Sequence, residues 1–363
     1  MEEIEALLTL SSMPLLGSIK IRLLIQHFGS ALVAIKSKKQ ELALLPGFGE
    51  KILGAWEECL KNSNIKQNLL LIEKSQVDLI TYQDPRYPKR LLEIADHPVL
   101  LYIKGNYAPK DQRCLAIVGT RHASLYGMEM AKKISSELAH AGFTIISGLA
   151  RGIDTAAHQG AYESGRTLAI LGSGLAHIYP AENEQLADRI CARGALISEF
   201  PMLAPPDRTH FPQRNRIVSG MSMGTILIEA PLKSGAMLTM NNAFKQGRPL
   251  FTLPGRADLD NFRGNHHLIK TKKAQLIENS QDILEFYGNL FPSSFSNSVP
   301  PKEIIPLEKE ESAFLQKLPQ EELSVEDIFQ LTKLPISQLN VLLMSLVLKK
   351  VIREYPGKIY KKI

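Results

Sequence analysis

The stretch Phe143-Thr144-Ile145-Ile146-Ser147-Gly148-Leu149-Ala150-Arg151-Gly152-Ile153-Asp154 decides the fold. Apolar and β-branched residues run into a glycine-punctuated turn, a helical pattern covers Asp154–Ser164, and a second apolar run follows at Thr167–Leu171. Strand, turn, helix, strand is a βαβ unit, whose crossover is right-handed and whose strands lie parallel. The alternation continues on both sides. Further strands are expected at Leu115–Val118, Ala195–Phe200, Thr225–Glu229, Pro249–Leu253 and Ala274–Ile277, with helices at Gly127–Ala141, Asn183–Arg193 and Gly235–Gln246. The strands are continuously apolar rather than alternating, as expected when helices cover both faces. Residues 69–290 therefore read as an α/β domain around a doubly wound, mostly parallel sheet.

The flanks read differently. Residues 1–68 form a small helical domain, with Leu7, Leu8, Leu23, Leu24 and Ile25 set between polar residues. Within it, Leu45-Pro46-Gly47-Phe48-Gly49-Glu50-Lys51-Ile52-Leu53 places a Gly-x-Gly turn between two short helices, the helix-hairpin-helix (SAM-like) pattern. Its turn amides can approach a DNA phosphate, or the motif can serve packing and partner binding. A Ser- and Pro-rich linker spans 291–309. Residues 310–363 follow the order helix, helix, helix, hairpin of a winged helix, with Ser324 as an N-cap, Asp327 in the capping-box position and a turn at Pro356-Gly357. The last 15 residues hold six Lys/Arg (Lys349, Lys350, Arg353, Lys358, Lys361, Lys362) against Glu354 alone.

Composition narrows the class. The 363 residues are 44% hydrophobic and 22% charged, an ordinary globular mix. Three distant cysteines, Cys59, Cys114 and Cys191, argue against a disulfide framework and against zinc. The acidic start and the lack of an 18-residue apolar run speak against a signal peptide or membrane span, so a reducing, cytoplasmic location is expected. The net charge of +6 is unevenly placed: residues 201–275 carry 11 Lys/Arg and four Asp/Glu. Such a block attracts phosphates or an acidic partner.

Ligands of an open α/β sheet gather at the loops after its strands. Gly119-Thr120-Arg121 follows the first parallel strand, and Ser147-Gly148-Leu149-Ala150-Arg151-Gly152 follows the second. Their glycines let backbone amides near an anion, and each loop adds an arginine fork for phosphate. Neither G-x-G-x-x-G nor a P-loop is present, so no dinucleotide or ATP cofactor is expected. Phe211-Pro212-Gln213-Arg214-Asn215-Arg216 joins an aromatic to two arginines within a short helix. Phe211 can stack on a base while its neighbours hold the backbone, or it can tuck into the core. Lys233-Ser234-Gly235 opens another helix at an anion-ready N-terminus. Catalytic patterns are thin: no H-E-x-x-H or G-x-S-x-G occurs, and Asp154 with His158 at i, i+4 can be an acid/base pair or, as such pairs more often are, a cap and a helix contact.

These ordered motifs resemble the DNA-processing protein A (DprA/Smf) family. The likeness is carried by the Gly119 and Ser147–Asp154 loops, Ile178-Tyr179-Pro180 followed by Asn183, Phe211-x-x-Arg214-Asn215-Arg216-Ile217, Glu229-Ala230 with Ser234-Gly235-Ala236, and Leu253-Pro254-Gly255 with Gly264-Asn265. Tyr87-Pro88 through Leu101–Gly105 matches the lead-in. The resemblance implies an extended Rossmann fold that binds single-stranded DNA without turnover, dimerises, and loads RecA recombinase in natural transformation. By position, Arg121 and Arg151 would contact phosphates, Phe211 would sit beside a base, and Arg214, Asn215 and Arg216 would line the pocket. This chain departs from the pattern at Ala181, where lysine is frequent, at Arg263, where serine is, and at Lys272-Lys273-Ala274. A second reading, a nucleoside-monophosphate phosphoribohydrolase, rests on Gly224-Thr225 and Glu229 as a fragment of that superfamily's P-G-G-x-G-T-x-x-E loop.

Overall fold

A computed structural model describes residues 2–290 apart from 14, 63 and 64, and residues 307–362 apart from 320, 350 and 356. The chain divides into two compact units, Met1–Val299 and Pro300–Ile363.

Six helices open the first unit: α1 (Glu3–Ser12), α2 (Ser18–Phe28), α3 (Ala31–Lys36), α4 (Lys39–Ala43), α5 (Glu50–Asn62) and α6 (Ile65–Lys74). Strands β1 (Val77–Thr81) and β2 (Leu100–Gly105) flank α7 (Lys89–Leu92). The winding then runs β3 (Cys114–Val118), α8 (Leu125–His140), β4 (Thr144–Ser147), α9 (Ile153–Ser164), β5 (Arg166–Ile170), α10 (Glu184–Arg193), β6 (Ala195–Ser198), α11 (His210–Met221), β7 (Thr225–Leu227), α12 (Gly235–Lys245), β8 (Leu250–Thr252), α13 (Arg263–Lys270), β9 (Gln275–Leu276) and α14 (Ser280–Leu290).

These strands form one sheet in the order β1-β2-β6-β5-β4-β3-β7-β8-β9. From β6 to β9 every pairing is parallel, with Ser147 opposite Ala169 and Val118 opposite Leu227. β1 and β2 extend the β6 edge antiparallel. The chain walks outward from β3 to β6, then α11 carries it back to start β7 on the other side of β3. That reversal makes the β3/β7 border the topological switch point.

Neighbouring side chains of β3 show why its apolar run is unbroken. Cys114, Ala116 and Val118 pack with α7, α11 and α12, whereas Leu115 and Ile117 pack with α8, α9 and α14. A strand buried on both faces has no polar side to alternate with.

The N-terminal boundary needs correction. Position 68 falls inside α6, where Asn68 and Ile72 are buried, and Ala6, Leu24, Leu42 and Trp56 share one apolar cluster with Tyr102, Leu171 and Leu196 of the sheet unit. The run Leu69-Leu70-Leu71-Ile72 satisfies both a helix and a strand reading, and burial of one helical face decides it. The Gly-x-Gly turn does join α4 to α5, with Gly47 at φ +82° and Phe48 buried beneath it.

In the second unit, α15 (Lys309–Lys317), β10 (Leu323–Ser324), α16 (Val325–Thr332), α17 (Ile336–Leu348), β11 (Ile352–Tyr355) and β12 (Ile359–Lys362) follow in order. Its sheet runs β10-β12-β11, antiparallel throughout. Ser324 caps α16 in reciprocal bonding with Asp327. The linker residues 291–306, together with Lys350 and Pro356, lie outside the described residues. Among the described residues no single helix is long and apolar enough to cross a membrane.

Candidate functional site

A cleft of about 680 Å³ opens at the switch point. Its walls are the β3 loop (Gly119, Thr120, Arg121), Gly148 after β4, one face of α11, and the Lys233-Ser234-Gly235 entry to α12.

Helix geometry selects which residues of α11 belong. Phe211, Arg214, Asn215 and Val218 line the cleft, and their i, i+3, i+4, i+7 spacing is one helical face. Arg216, two residues from Arg214, lies about 200° around the helix. It points the other way, with Nη2 2.6 Å from Glu199 Oε2 and Nε 3.2 Å from Asp96 Oδ2. Arg216 is therefore not part of the cleft wall.

Arg214 forms the floor. Its Nη1 donates to the carbonyls of Gly148 (2.6 Å) and Ile170, and its Nε donates to Asn215 Oδ1 (3.1 Å). A methyl at Gly148 would lie 2.3 Å from Arg214 Nη1, so only glycine lets the loop close over the guanidinium. Burial pulls this guanidinium down to about 10, against the opposing influence of Asp154. Asp154 accepts from the amides of Gly148 (3.0 Å) and Ala150 (3.3 Å), and burial raises its carboxyl above the usual range, opposed by Arg214. No carboxylate lies within ion-pair distance of Arg214 among the described residues. Its cationic charge is met by neutral acceptors.

Above the floor, Arg121 lies over the Phe211 ring at 5.2 Å, and Tyr179 approaches the same ring at 5.7 Å. Phe211 is half-buried rather than core, and Tyr179 is exposed. Arg121, Arg208 and Lys233 form no ion pair among the described residues. With Arg214 they give four cations against Asp154 alone on the cleft wall. At α12, Ser234 Oγ accepts from Met237 N (3.3 Å), while the first amides of the helix have no partner within it. Unpaired cations, free helix amides and flat ring faces together suit an anionic ligand with aromatic parts.

Three other expected residues stand behind the wall or beside it. Ser147 is buried and donates to Ile117 O (2.6 Å), tying β4 to β3. Gly152, at φ +71°, packs so tightly under the β3 loop that a methyl there would sit 2.4 Å from Thr120 O. Arg151 is exposed and held by Glu182, Nε–Oε1 2.5 Å and Nη2–Oε2 2.7 Å. Ala181 and Arg263 do not line the cleft, and Arg263 pairs with Asp260 at 2.8 Å. Sequence reasoning passed over His122 and Arg208, which do line it; Arg208 belongs to the basic block, and His122 follows Arg121 directly.

Two acid/base candidates are accounted for structurally. His158 bonds Thr167 Oγ1 (2.7 Å), not Asp154, and burial drives its imidazole down to about 3. Glu229 is fully buried, accepting from Ser124 Oγ (2.6 Å) and Asn261 Nδ2 (2.8 Å), and presents no carboxylate to the cleft. Among the described residues no cluster of three or more His, Cys, Asp or Glu could hold a metal ion.

Fold and site define a doubly wound α/β protein with a cationic, ring-lined cleft at its switch point. The chain belongs to the DNA recombination-mediator protein A family, whose model matches residues 78–288. It is 37% identical over 277 residues to Protein Smf of Synechocystis sp., covering 75% of this chain and 69% of that one. Protein Smf of Escherichia coli is 40% identical over 224 residues, 61% of this chain and 60% of its own length. The X-ray structure of DNA processing protein A from Streptococcus pneumoniae superposes with a TM-score of 0.65 at 32% identity, covering 78% of this chain and 98% of that one. DNA processing protein A from Helicobacter pylori, described for its single-stranded DNA binding mode, gives 0.54 at 31% identity over 59% and 98%.

Proposed function

We propose that the cleft binds single-stranded DNA without turning it over, in a protein that protects incoming DNA and loads RecA recombinase. One observation carries this reading: Arg121 over the Phe211 ring, with Tyr179 tilted against it, stands beside cations that form no ion pair among the described residues. Bases exposed in a single strand can stack on the rings while phosphates take the cations, a combination tolerant of sequence. The Helicobacter pylori relative, named for single-strand binding, supports it.

The finer parts rest on family resemblance: RecA as partner, a homodimer joined through the sheet unit, and a place in competence. Binding without turnover is favoured over nucleotide hydrolysis because the one carboxylate on the cleft wall, Asp154, is buried with Oδ2 bonded to two backbone amides, and Glu229 is buried away from the cleft.

Titration of oligo-dT against duplex across salt tests the main reading. With about four phosphates neutralised, log K should fall against log salt with a slope near −3. Equal affinity for duplex, or no salt dependence, overturns it. Release of free base from nucleoside monophosphates would favour the hydrolase instead. Light scattering on the full chain tests the dimer.

A further inference from the structure

Arg151 stands at a junction. It borders a narrow crevice with Arg121, Tyr179 and Phe211, and it also borders a separate hollow of about 520 Å³ that includes Glu182. The cations of the main cleft have no ion-pair partner among the described residues, but those of this hollow are engaged: Arg151 with Glu182, and Lys132 with Glu163 at 2.7 Å. The Arg151–Glu182 contact is fork on fork, two parallel N–H···O bonds of 2.5 and 2.7 Å. That is the geometry in which a guanidinium takes two oxygens of a phosphate. Both side chains are about half exposed, 55% and 54%. Exposure lets water screen the pair, and a displaced carboxylate would return to water rather than be stranded.

Building on the single-strand reading of the cleft, we propose that Glu182 is an internal competitor for the DNA strand, occupying Arg151 in the manner of a phosphate until the strand displaces it. A strand passing Phe211 and Tyr179 meets Arg151 next, so the carboxylate weakens the last electrostatic contact of the cleft. Affinity is thereby held below what the arginines alone would give.

The test compares oligo-dT affinity at low salt for the full chain and for Glu182→Gln, Arg151→Ala, the double variant and Glu163→Gln. Glu182→Gln should bind about two- to fivefold more tightly, the scale of one exposed ion pair. Arg151→Ala and the double variant should bind equally, because the competitor acts only through Arg151. Glu163→Gln, which removes the same charge from the hollow's other exposed pair, whose Lys132 does not border the crevice, should gain less than Glu182→Gln. The inference is overturned if Glu182→Gln is no tighter, if its gain survives Arg151→Ala, or if Glu163→Gln gains as much. A parent chain that binds no oligo-dT overturns the reading of the cleft, and this inference with it. A parent that binds while Glu182→Gln fails to tighten overturns this inference alone.

Discussion

Arg214 and Arg216 occupy the same helix two residues apart, yet they serve opposite sides of the molecule. Arg214 faces the cleft, buried among carbonyls with no acid in ion-pair range. Arg216 faces the back, held between Glu199 and Asp96. A buried cation bonded only to neutral acceptors, with Asp154 acting on it from beyond ion-pair distance, keeps charge for a ligand, whereas a paired one spends its charge inside the protein. The comparison separates a binding face from a structural face on one helix.

Arg216→Ala should have the largest effect, and on stability. It leaves the Glu199 carboxylate buried without its partner, a loss of about 3–5 kcal/mol at neutral pH. Burial already raises the Glu199 carboxyl above its ordinary value, and Arg216 opposes that rise. Without Arg216 the folded carboxyl binds its proton more readily than the unfolded one. Folding then takes up protons, and stability rises as pH falls. The deficit relative to the parent should shrink between pH 7 and pH 5 in thermal melts, while oligo-dT affinity of the folded variant holds. Affinity that collapses in a folded Arg216→Ala would break the division between faces.

Phe211→Ala should come next, costing about 1–3 kcal/mol of binding with the salt slope unchanged, since stacking releases no counter-ions. The ring is half-buried, so melting should move little. A variant that loses binding only because it unfolds would return Phe211 to the core.

How far this division was legible depended on what each residue answers to. The βαβ winding showed in the sequence because strands covered on both faces must be apolar throughout, as Leu115–Val118 are. The loops at Gly119 and Gly148 were legible because ligand sites follow strand ends. Arg216 was misread because its motif is contiguous in sequence while a helix presents one face at i, i+3, i+4. Its true partners, Glu199 and Asp96, lie 17 and 120 positions away and leave no local mark. The Arg151 loop was legible, but its pairing with Glu182, 31 positions away, leaves no local mark either. The antiparallel strands β1 and β2 were missed because they precede the winding and the short α7 between them is not a parallel crossover.

Arg121→Ala sharpens the cleft side more finely. It should weaken binding and make the salt slope shallower by about 0.7 for the one phosphate lost. Melting should be nearly unchanged, because Arg121 is exposed and its side chain, over the Phe211 ring, forms no ion pair among the described residues. Titrations at three salt concentrations distinguish this from the Phe211 variant. A weaker variant with an unchanged slope would show that Arg121 acts by holding the ring, not by meeting a phosphate.

Gly235→Ala is the smallest and tests whether backbone as well as side chains anchors the ligand. A methyl at Gly235 meets nothing within 4 Å, and the residue opens α12 behind its Ser234 cap. Alanine narrows the unfolded ensemble, so stability should hold or rise by up to about 0.5 kcal/mol. The Gly235 amide survives, and a phosphate held at ordinary hydrogen-bond distance from that N–H has room beside the methyl. Affinity should therefore stay within about twofold of the parent, a difference of roughly 0.4 kcal/mol. A loss as large as that of Arg121→Ala, with normal melting, would mean that the strand lies in contact with the α12 backbone itself. The cleft would then hold its ligand by the helix terminus as much as by its unpaired arginines.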